Sequence, residues 1–493
     1  MGITFGTDGW RGIVADDFTF ENIRRVARAI ARFLYWQGRK DLDIYKPKKG
    51  ATYQCPYRHP REGIVVGYDT RFMSRTFAEV AAGEFIKAGI PVYLSSGPSS
   101  SPSISTSVDD LKACGAVIIT ASHNSPEYNG IKFKPEYGGS GTPEVTHAIE
   151  KRINGAEEFT LPEAEGEAAI KEFSPHERYT ERVVSLIDLE RIASSRFKII
   201  SDPIYGASRG LLEQALGGIG TYVEEIRGEI NPIFGGYNPE PIGKNLAPLV
   251  ERILRNKADI GFAYDGDGDR LGAVDSRGRF MNSHEVFALI LWHLVENRKW
   301  SGGVARTFST SHIIDVMAGR YGLPLYETPI GFKYIAHLML EKDILLGGEE
   351  SGGIGVKNHI PEKDAILISL LLLEAMAYKG EGIGSLLEQL MRDHGFFYFH
   401  RTDIRITNND EKESIISRLL NSPPARFIDG KIEDIRTLDG IKYILPGNNW
   451  ILFRPSGTEP VLRIYVEARS HELAQKILRE GEELVQNRQY SPS

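Results

Sequence analysis

The stretch Gly115-Ala116-Val117-Ile118-Ile119-Thr120-Ala121-Ser122-His123-Asn124-Ser125-Pro126 decides the reading of this chain. A continuous apolar run ended by polar turn residues reads as a strand buried on both faces, the kind found in parallel sheets flanked by helices. Ligands of open α/β sheets bind beyond the carboxyl ends of such strands. Ser122 therefore stands where a nucleophile or phosphate carrier would be placed. His123, Asn124 and Lys132 lie close by, and Lys132 is the local candidate to move a proton. The alternative is an ordinary strand-to-loop turn rich in Ser and Asn.

Outward from this stretch the pattern repeats. Residues 20–37 predict an amphipathic helix, with Ile23, Val26, Ala27, Ile30, Phe33 and Leu34 at helical spacing and Gly38 as a stop. Residues 39–62 are polar and irregular and predict a surface insertion, its lysines solvated. Strand, helix and strand follow at 63–68, 76–88 and 90–94, with a Ser/Pro-rich turn at 95–103. This β-α-β alternation predicts a mainly parallel sheet with helices on both faces. A charged segment at 150–175 suggests a boundary, after which the alternation restarts. Strands at 197–201, 222–226 and 258–264 lead into Asp265-Gly266-Asp267-Gly268-Asp269-Arg270. A third round from Gly303 ends with Ile344-Leu345-Leu346 and Gly347-Gly348-Glu349-Glu350-Ser351-Gly352. The last ninety or so residues differ. Strands at 450–453 and 462–466 flank Arg454-Pro455-Ser456-Gly457-Thr458, and a helix from about His471 closes the chain, which reads as an α+β domain.

The composition narrows the functional class. A chain of 493 residues should hold roughly three or more domains. Its net charge of −7 argues against nucleic acid as a main partner. Local Arg, Lys or metal can still bind anions on an acidic protein. The two cysteines, Cys55 and Cys114, show no metal or disulfide spacing, which favours a reducing compartment. No signal-peptide pattern and no apolar run of about eighteen residues occurs, so the expectation is a cytoplasmic protein without a membrane partner.

Three motifs carry chemistry. Asp265, Asp267 and Asp269, spaced by glycines, can fold three hard oxygen ligands onto one divalent cation such as Mg²⁺. The loop is not an EF-hand, because Arg270 and Ser276 stand where that motif needs Gly and Glu. Arg454, Ser456, Gly457 and Thr458 join a guanidinium, hydroxyls and glycine-freed amides in the inventory that suits a phosphate dianion. Glu349 and Ser351 offer acceptors for sugar hydroxyls, although an acidic turn is the better reading of this stretch in isolation. A competing signal, Gly206-Ala207-Ser208-Arg209-Gly210, matches a nucleophile elbow. Four residues separate it from its strand, so a structural turn is the better reading.

Together these loops resemble the α-D-phosphohexomutase superfamily, over nearly the whole chain and in the family's order. The resemblance implies three similar mixed-sheet α/β domains plus a C-terminal α+β domain around a central cleft. Their expected extents are 1–170, 171–280, 281–395 and 396–493. It also implies that Ser122 is phosphorylated and helps bind Mg²⁺ with Asp265, Asp267 and Asp269. Lys132 would act as general acid/base, with His123 and Arg11 beside the phosphoserine. Arg270, Lys333, Glu349, Ser351, Arg454, Ser456, Gly457 and Thr458 would contact the substrate. The implied reaction interconverts hexose 1- and 6-phosphates, glucose preferred and mannose accepted, through a 1,6-bisphosphate that is both intermediate and activator. The implied assembly is a monomer or homodimer. Ser125 replaces a proline frequent in this loop, which loosens the backbone beside the nucleophile. Two other readings are a glucose-1,6-bisphosphate synthase of the same superfamily and a non-catalytic sugar-phosphate-binding regulator.

Overall fold

The computed structural model describes all residues except 1, 2, 7, 8, 47, 48, 52, 156–167, 425, 429, 457–460 and 487–493. Two compact units can be distinguished, Met1–Ala305 with Gly331–Leu387, and Arg306–Ile330 with Glu388–Ser493. Among the described residues no helix is long and apolar enough to cross a membrane.

The first sheet contains β1 (Trp10–Ile13), β2 (Ile64–Tyr68), β3 (Val92–Ser95), β4 (Ala116–Ile119), β5 (Tyr128–Lys134) and β6 (Ile170–Phe173), in the order β1-β5-β4-β2-β3-β6. Strands β4, β2, β3 and β6 run parallel to their neighbours in that row, but β5 is antiparallel to both β4 and β1. Period-two alternation explains the continuous apolar runs. Val117 and Ile119 of β4 face a core shared with the helices Phe20–Tyr35, Ser74–Lys87 and Pro143–Ile153. Ala116 and Ile118 face Ile104 and Val108 of the helix Ser101–Asp110 on the other side. The expected boundary at 170/171 falls inside β6, which pairs with β3.

The second sheet contains β7 (Lys198–Asp202), β8 (Tyr222–Glu225), β9 (Ile260–Tyr264), β10 (Leu271–Asp275) and β11 (Phe280–Met281), in the order β11-β10-β9-β7-β8. The third contains β12 (Gly303–Thr307), β13 (Leu325–Thr328), β14 (Ile344–Gly348) and β15 (Ile354–Val356), in the order β13-β12-β14-β15. In each, the strand that enters the polar loop is paired with the strand that leaves it, antiparallel: β9 with β10 and β14 with β15. The sheets are therefore mixed, as the family resemblance implied, rather than mainly parallel as the alternation alone suggested. Of the return strands only β15, with three residues, is too short to carry a pattern of its own.

The fourth sheet contains β16 (Tyr398–Arg405), β17 (Asp434–Arg436), β18 (Ile441–Leu445), β19 (Asn449–Pro455) and β20 (Val461–Ala468), all antiparallel in the order β16-β20-β19-β18-β17. Helices Asn409–Asn421 and His471–Gln486 cover its apolar face.

Two expectations change. Residues 101–110 are helical where only a turn was expected up to 103. Ser103, Ser105, Thr106 and Ser107 are poor helix formers, yet all are buried, so packing overrides propensity. Ser100 caps the helix through the Ser103 N–H, and Pro102 sits in its first turn. Residues 39–62 are not a merely solvated insertion. Leu42, Ile44 and Cys55 join the first core, and Arg39 is fully buried. Its guanidinium donates to the Arg58 carbonyl at 2.7 Å, pairs with Glu136 at 3.0 Å and lies among Phe33, Tyr45 and Tyr57. Lys40, Lys46 and Lys49 do lie outside, Lys46 pairing with Asp43 at the surface, while Lys48 lies outside the described residues. Cys55 and Cys114 are buried free thiols.

Removing one partner of a buried ion pair leaves the other uncompensated, at about 3–5 kcal/mol. Glu136→Ala is therefore expected to destabilise by about that amount in denaturant unfolding. Glu79→Ala, which breaks the exposed pair with Arg75, should cost less than about 1 kcal/mol.

Candidate active site

Three hairpin loops of the first unit bring the predicted residues together. The loop between β9 and β10 places Asp265, Asp267 and Asp269 in the interior, their ligand atoms within 4.8 Å of one another. Glycine is required twice here. A Cβ on Gly266 would lie 2.5 Å from the Ser122 carbonyl oxygen. Gly268 has φ +73°, and a Cβ there would lie 2.1 Å from Ser208 Oγ. Asp265 Oδ1 accepts from the Asp269 and Arg270 N–H groups at 2.9 and 3.0 Å, which folds the loop onto itself.

Ser122 donates from Oγ to Asp265 Oδ2 at 2.6 Å. Its φ of +52° is a left-handed conformation that costs a non-glycine residue about 1–2 kcal/mol. Strain of that kind persists where the surroundings impose it, commonly at functional sites. Lys132 reaches the same cluster from β5, with Nζ 2.7 Å from Asp267 Oδ2 and 2.9 Å from Asp269 Oδ2. Arg11, on β1 beside β5, donates to Asn124 Oδ1 at 2.6 Å. His123 Nδ1 lies 3.4 Å from Ser122 Oγ. Burial, reinforced by Arg270, Arg11, Arg71 and Lys132, pushes the His123 imidazole well below its usual value, so it is neutral at pH 7.

The donor set fits a hard divalent cation. It offers three carboxylates, and Asp267 Oδ1 is buried with no hydrogen-bond partner among the described residues. Burial and the charges of Asp269 and Asp267 push the Asp265 carboxyl well above its usual range, a penalty that a bound cation removes.

The third loop, between β14 and β15, carries Glu349 and Ser351. Leu271 N–H donates to the Gly352 carbonyl at 3.3 Å, which ties this loop to the start of β10. Burial pushes the Glu349 carboxyl up to about 7 against the pull of Lys363. Lys333 Nζ lies 3.5 Å from the Gly6 carbonyl, beside the N-terminal loop that leads to Arg11. In the second unit, Arg454 ends β19 and pairs with Asp439 at 3.1 Å, and Lys412 Nζ donates to the Ser456 carbonyl at 2.7 Å. Gly457 and Thr458 lie outside the described residues.

Successive segments match models of the phosphoglucomutase/phosphomannomutase domains: residues 49–160 domain I, 177–278 domain II, 282–394 domain III and 426–483 the C-terminal domain. The chain belongs to the phosphoglucomutase/phosphomannomutase family. It is 29% identical over 486 residues to the phosphoglucomutase/phosphomannomutase of Thermococcus kodakarensis, covering 99% of each chain. It is 28% identical over 497 residues to the phosphoglucosamine/phosphogalactosamine mutase of Sulfurisphaera tokodaii, covering 99% of this chain and all of that one. A crystal structure assigned to a phosphomannomutase of Thermus thermophilus superposes with TM-score 0.82 at 33% identity, covering 99% of this chain and 100% of that one. Membership in this family makes the chain an enzyme, an intramolecular phosphotransferase.

Two residues beside the aspartate loop belong to no motif in the sequence. Lys363 is buried with Nζ 3.0 Å from Asp269 Oδ2, and a Cβ on Gly353 would strike its side chain, so it bridges the Asp265 and Glu349 loops. Its signal was a charged Glu362-Lys363-Asp364 trio opening the apolar helix Ala365–Lys379. Ser101 donates from Oγ to Asp267 Oδ2 at 2.5 Å and from N to the Asp267 carbonyl at 2.7 Å. It was hidden in a serine run that read as a turn. Ser208, the elbow candidate, is a buried residue six positions beyond the end of β7, packed on Gly268.

Because its pKa is raised, Glu349 is neutral below about pH 7 and a carboxylate above it. The carboxylate accepts hydroxyl hydrogen bonds at both oxygens, whereas the protonated group turns one oxygen into a donor. The kcat/KM for a hexose phosphate is expected to rise with pH through this range. Glu349→Gln should flatten that limb; an unchanged limb would place the titration elsewhere.

Proposed function

We propose that this enzyme interconverts hexose 1-phosphates and hexose 6-phosphates through phospho-Ser122, with glucose phosphates preferred and mannose phosphates accepted. The observation that carries this reading is the 2.6 Å hydrogen bond from Ser122 Oγ to Asp265, inside a buried carboxylate triad that Lys132 also touches. A serine so placed has its oxygen beside the groups that would hold a cation and beside a lysine suited to proton movement.

Asp265, Asp267 and Asp269, together with the phosphate on Ser122, would hold Mg²⁺, which supplies charge neutralisation for the transferring phosphoryl group. In the first transfer the Oγ–P bond breaks and a P–O bond to the sugar hydroxyl forms. The proton given up by that hydroxyl ends on Ser122 Oγ, with Lys132 placed to relay it. The bisphosphate then presents its other phosphate, and the reverse transfer regenerates phospho-Ser122. Positioning and electrostatics account for the catalysis, since the chemistry asks for little else. Glu349 and Ser351 would grip sugar hydroxyls, with Arg270 and Lys333 as further contacts. Arg454, Ser456, Gly457 and Thr458 would bind the phosphate that is not reacting.

The acidic Glu349-Glu350-Ser351 sequence supports glucose over glucosamine phosphates. The relatives carry names of both kinds, so glucose 1-phosphate, mannose 1-phosphate and glucosamine 1-phosphate should be compared by kcat/KM. Glucose 1-phosphate is expected to lead; a larger value for glucosamine 1-phosphate would reassign the substrate. Phosphorus NMR should show glucose 6-phosphate formed with only a trace of bisphosphate, whereas steady bisphosphate accumulation would indicate a synthase.

Intact mass should reveal one phosphate after incubation with glucose 1,6-bisphosphate. Ser122→Ala is expected to lose that phosphate and all measurable mutase activity; full turnover by this variant would refute the assignment.

Chelator-treated enzyme is expected to be inactive and to recover on addition of Mg²⁺. Asp267→Asn, which removes one charged ligand from the triad, should lower activity at least about a hundredfold at saturating substrate. Titration calorimetry should show weaker Mg²⁺ binding by the same variant.

A further inference from the structure

The Ser122 loop is held from beneath by one side chain that belongs to none of the motifs above. Arg71 follows β2 in the sequence Asp69-Thr70-Arg71, and its side chain is fully buried. Its Nη2 donates to the carbonyls of Ser122 at 2.6 Å and Asn124 at 2.5 Å. Its Nη1 donates to the carbonyls of Ser125 at 2.9 Å and Tyr128 at 3.0 Å. Its Nε faces Asp69 Oδ2 at 3.3 Å. Asp69 is itself fixed, its Oδ1 accepting from Ser74 Oγ at 2.7 Å and the Arg71 N–H at 3.0 Å. The ring of Phe234 lies 4.9 Å from the guanidinium. We propose that Arg71 is a positioning residue for phosphoryl transfer, the group that imposes the strained backbone of the Ser122 loop and so aims its hydroxyl and amides. The inference rests on the reading of Ser122 as the phosphoryl carrier.

Three physical points carry it. A guanidinium is a rigid fork of five donors, and here four reach four carbonyls of a single loop while the fifth faces a carboxylate. A lysine ammonium, a compact point of three donors, cannot span them. Second, Ser122 has φ +52° and no glycine's freedom, so something outside the residue must hold it there. Its carbonyl is gripped by Arg71 and packed against Gly266 of the metal loop. Third, the position that would carry a stiffening proline is Ser125, and Arg71 holds that residue's carbonyl. The clamp supplies the rigidity which the residue type lacks. In planar trans peptides the N–H points opposite the carbonyl. Drawing the Ser122 and Asn124 carbonyls toward Arg71 therefore turns the N–H groups of His123 and Ser125 to the loop's other side. Neither N–H donates to any group among the described residues. Two oriented amides are what an anion on this loop would use.

The test compares Arg71→Lys with Arg58→Lys. Arg58 is a buried arginine that likewise donates to backbone carbonyls, those of Val108 and Ala113, but outside the active site. Both variants should lose some thermal stability. Arg71→Lys alone is expected to lower kcat for glucose 1-phosphate about a hundredfold with KM changed less than about threefold, since misplacement of about 1 Å carries a penalty of that size. Hydrogen exchange should accelerate in the peptide spanning residues 121–128 of Arg71→Lys and stay at the wild-type rate in Arg58→Lys. Wild-type kcat and unchanged exchange in a folded Arg71→Lys would overturn the inference, leaving Arg71 a purely structural residue. Should Arg71→Lys not fold, Asp69→Asn loosens the guanidinium without removing it, and the same two readouts should move by smaller amounts. Unchanged kcat and exchange in that variant would overturn the inference equally. Phosphate detected on wild-type Ser122 separates the two claims: its absence refutes the carrier reading, and its presence with an unaffected Arg71→Lys refutes the positioning role alone.

Discussion

Three carboxylates buried within 4.8 Å of one another repel strongly, and the site is organised around that repulsion. Lys132 and Lys363 bring positive charge to Asp267 and Asp269, while Ser122, Ser101 and the loop's own N–H groups fill other lone pairs. Such a cluster is costly to fold and gains from anything that brings more positive charge. Ser122, Lys132, Lys363 and the three aspartates are thereby gathered in one place. The glycines of the metal loop are part of the same arrangement, since Gly266 lets the chain touch the Ser122 carbonyl and Gly268 lets it pass Ser208.

One structural device recurs. The Ser122, Asp265 and Glu349 loops each join a strand to an antiparallel return strand, β4 to β5, β9 to β10 and β14 to β15. The Arg454 loop does the same between β19 and β20, in a wholly antiparallel sheet. In the first three, ladder hydrogen bonds join the strands on either side of the tip, which anchors both ends of the loop. The return strand also contributes residues: β5 delivers Lys132, and its pairing with β1 brings Arg11 to the Ser122 loop. The left-handed Ser122 is tolerable because both flanks are fixed and Arg71 holds the turn between them.

Much of this was legible in the residues. The apolar runs predicted the strands β2, β4, β7, β9, β12 and β14 because burial on both faces leaves a continuous signature. The glycine-spaced aspartates read as a metal loop because ligand chemistry at short spacing is a local property. The serine-rich helix Ser101–Asp110 was illegible, since its residues disfavour helix and only packing against Val65, Ala116 and Ile118 makes it form. The segment 39–62 misread for a related reason: a buried arginine looks like a surface one until its carboxylate, almost a hundred positions later at Glu136, is seen beside it.

By itself, then, the sequence determined the three rounds of strand and helix, the distinct C-terminal domain and the polar loops at the strand ends. Each of these is encoded by neighbours a few positions apart, through periodicity, glycine placement and ligand type. Only the tertiary structure decided that Lys363 and Ser101 flank the aspartate loop, and that Arg71 clamps the Ser122 loop. Those contacts join residues roughly fifty to more than a hundred and fifty positions apart. A buried lysine, serine or arginine has no local pattern that names its partner; the partner is chosen by packing, once burial makes an unpaired charge or donor too costly to leave.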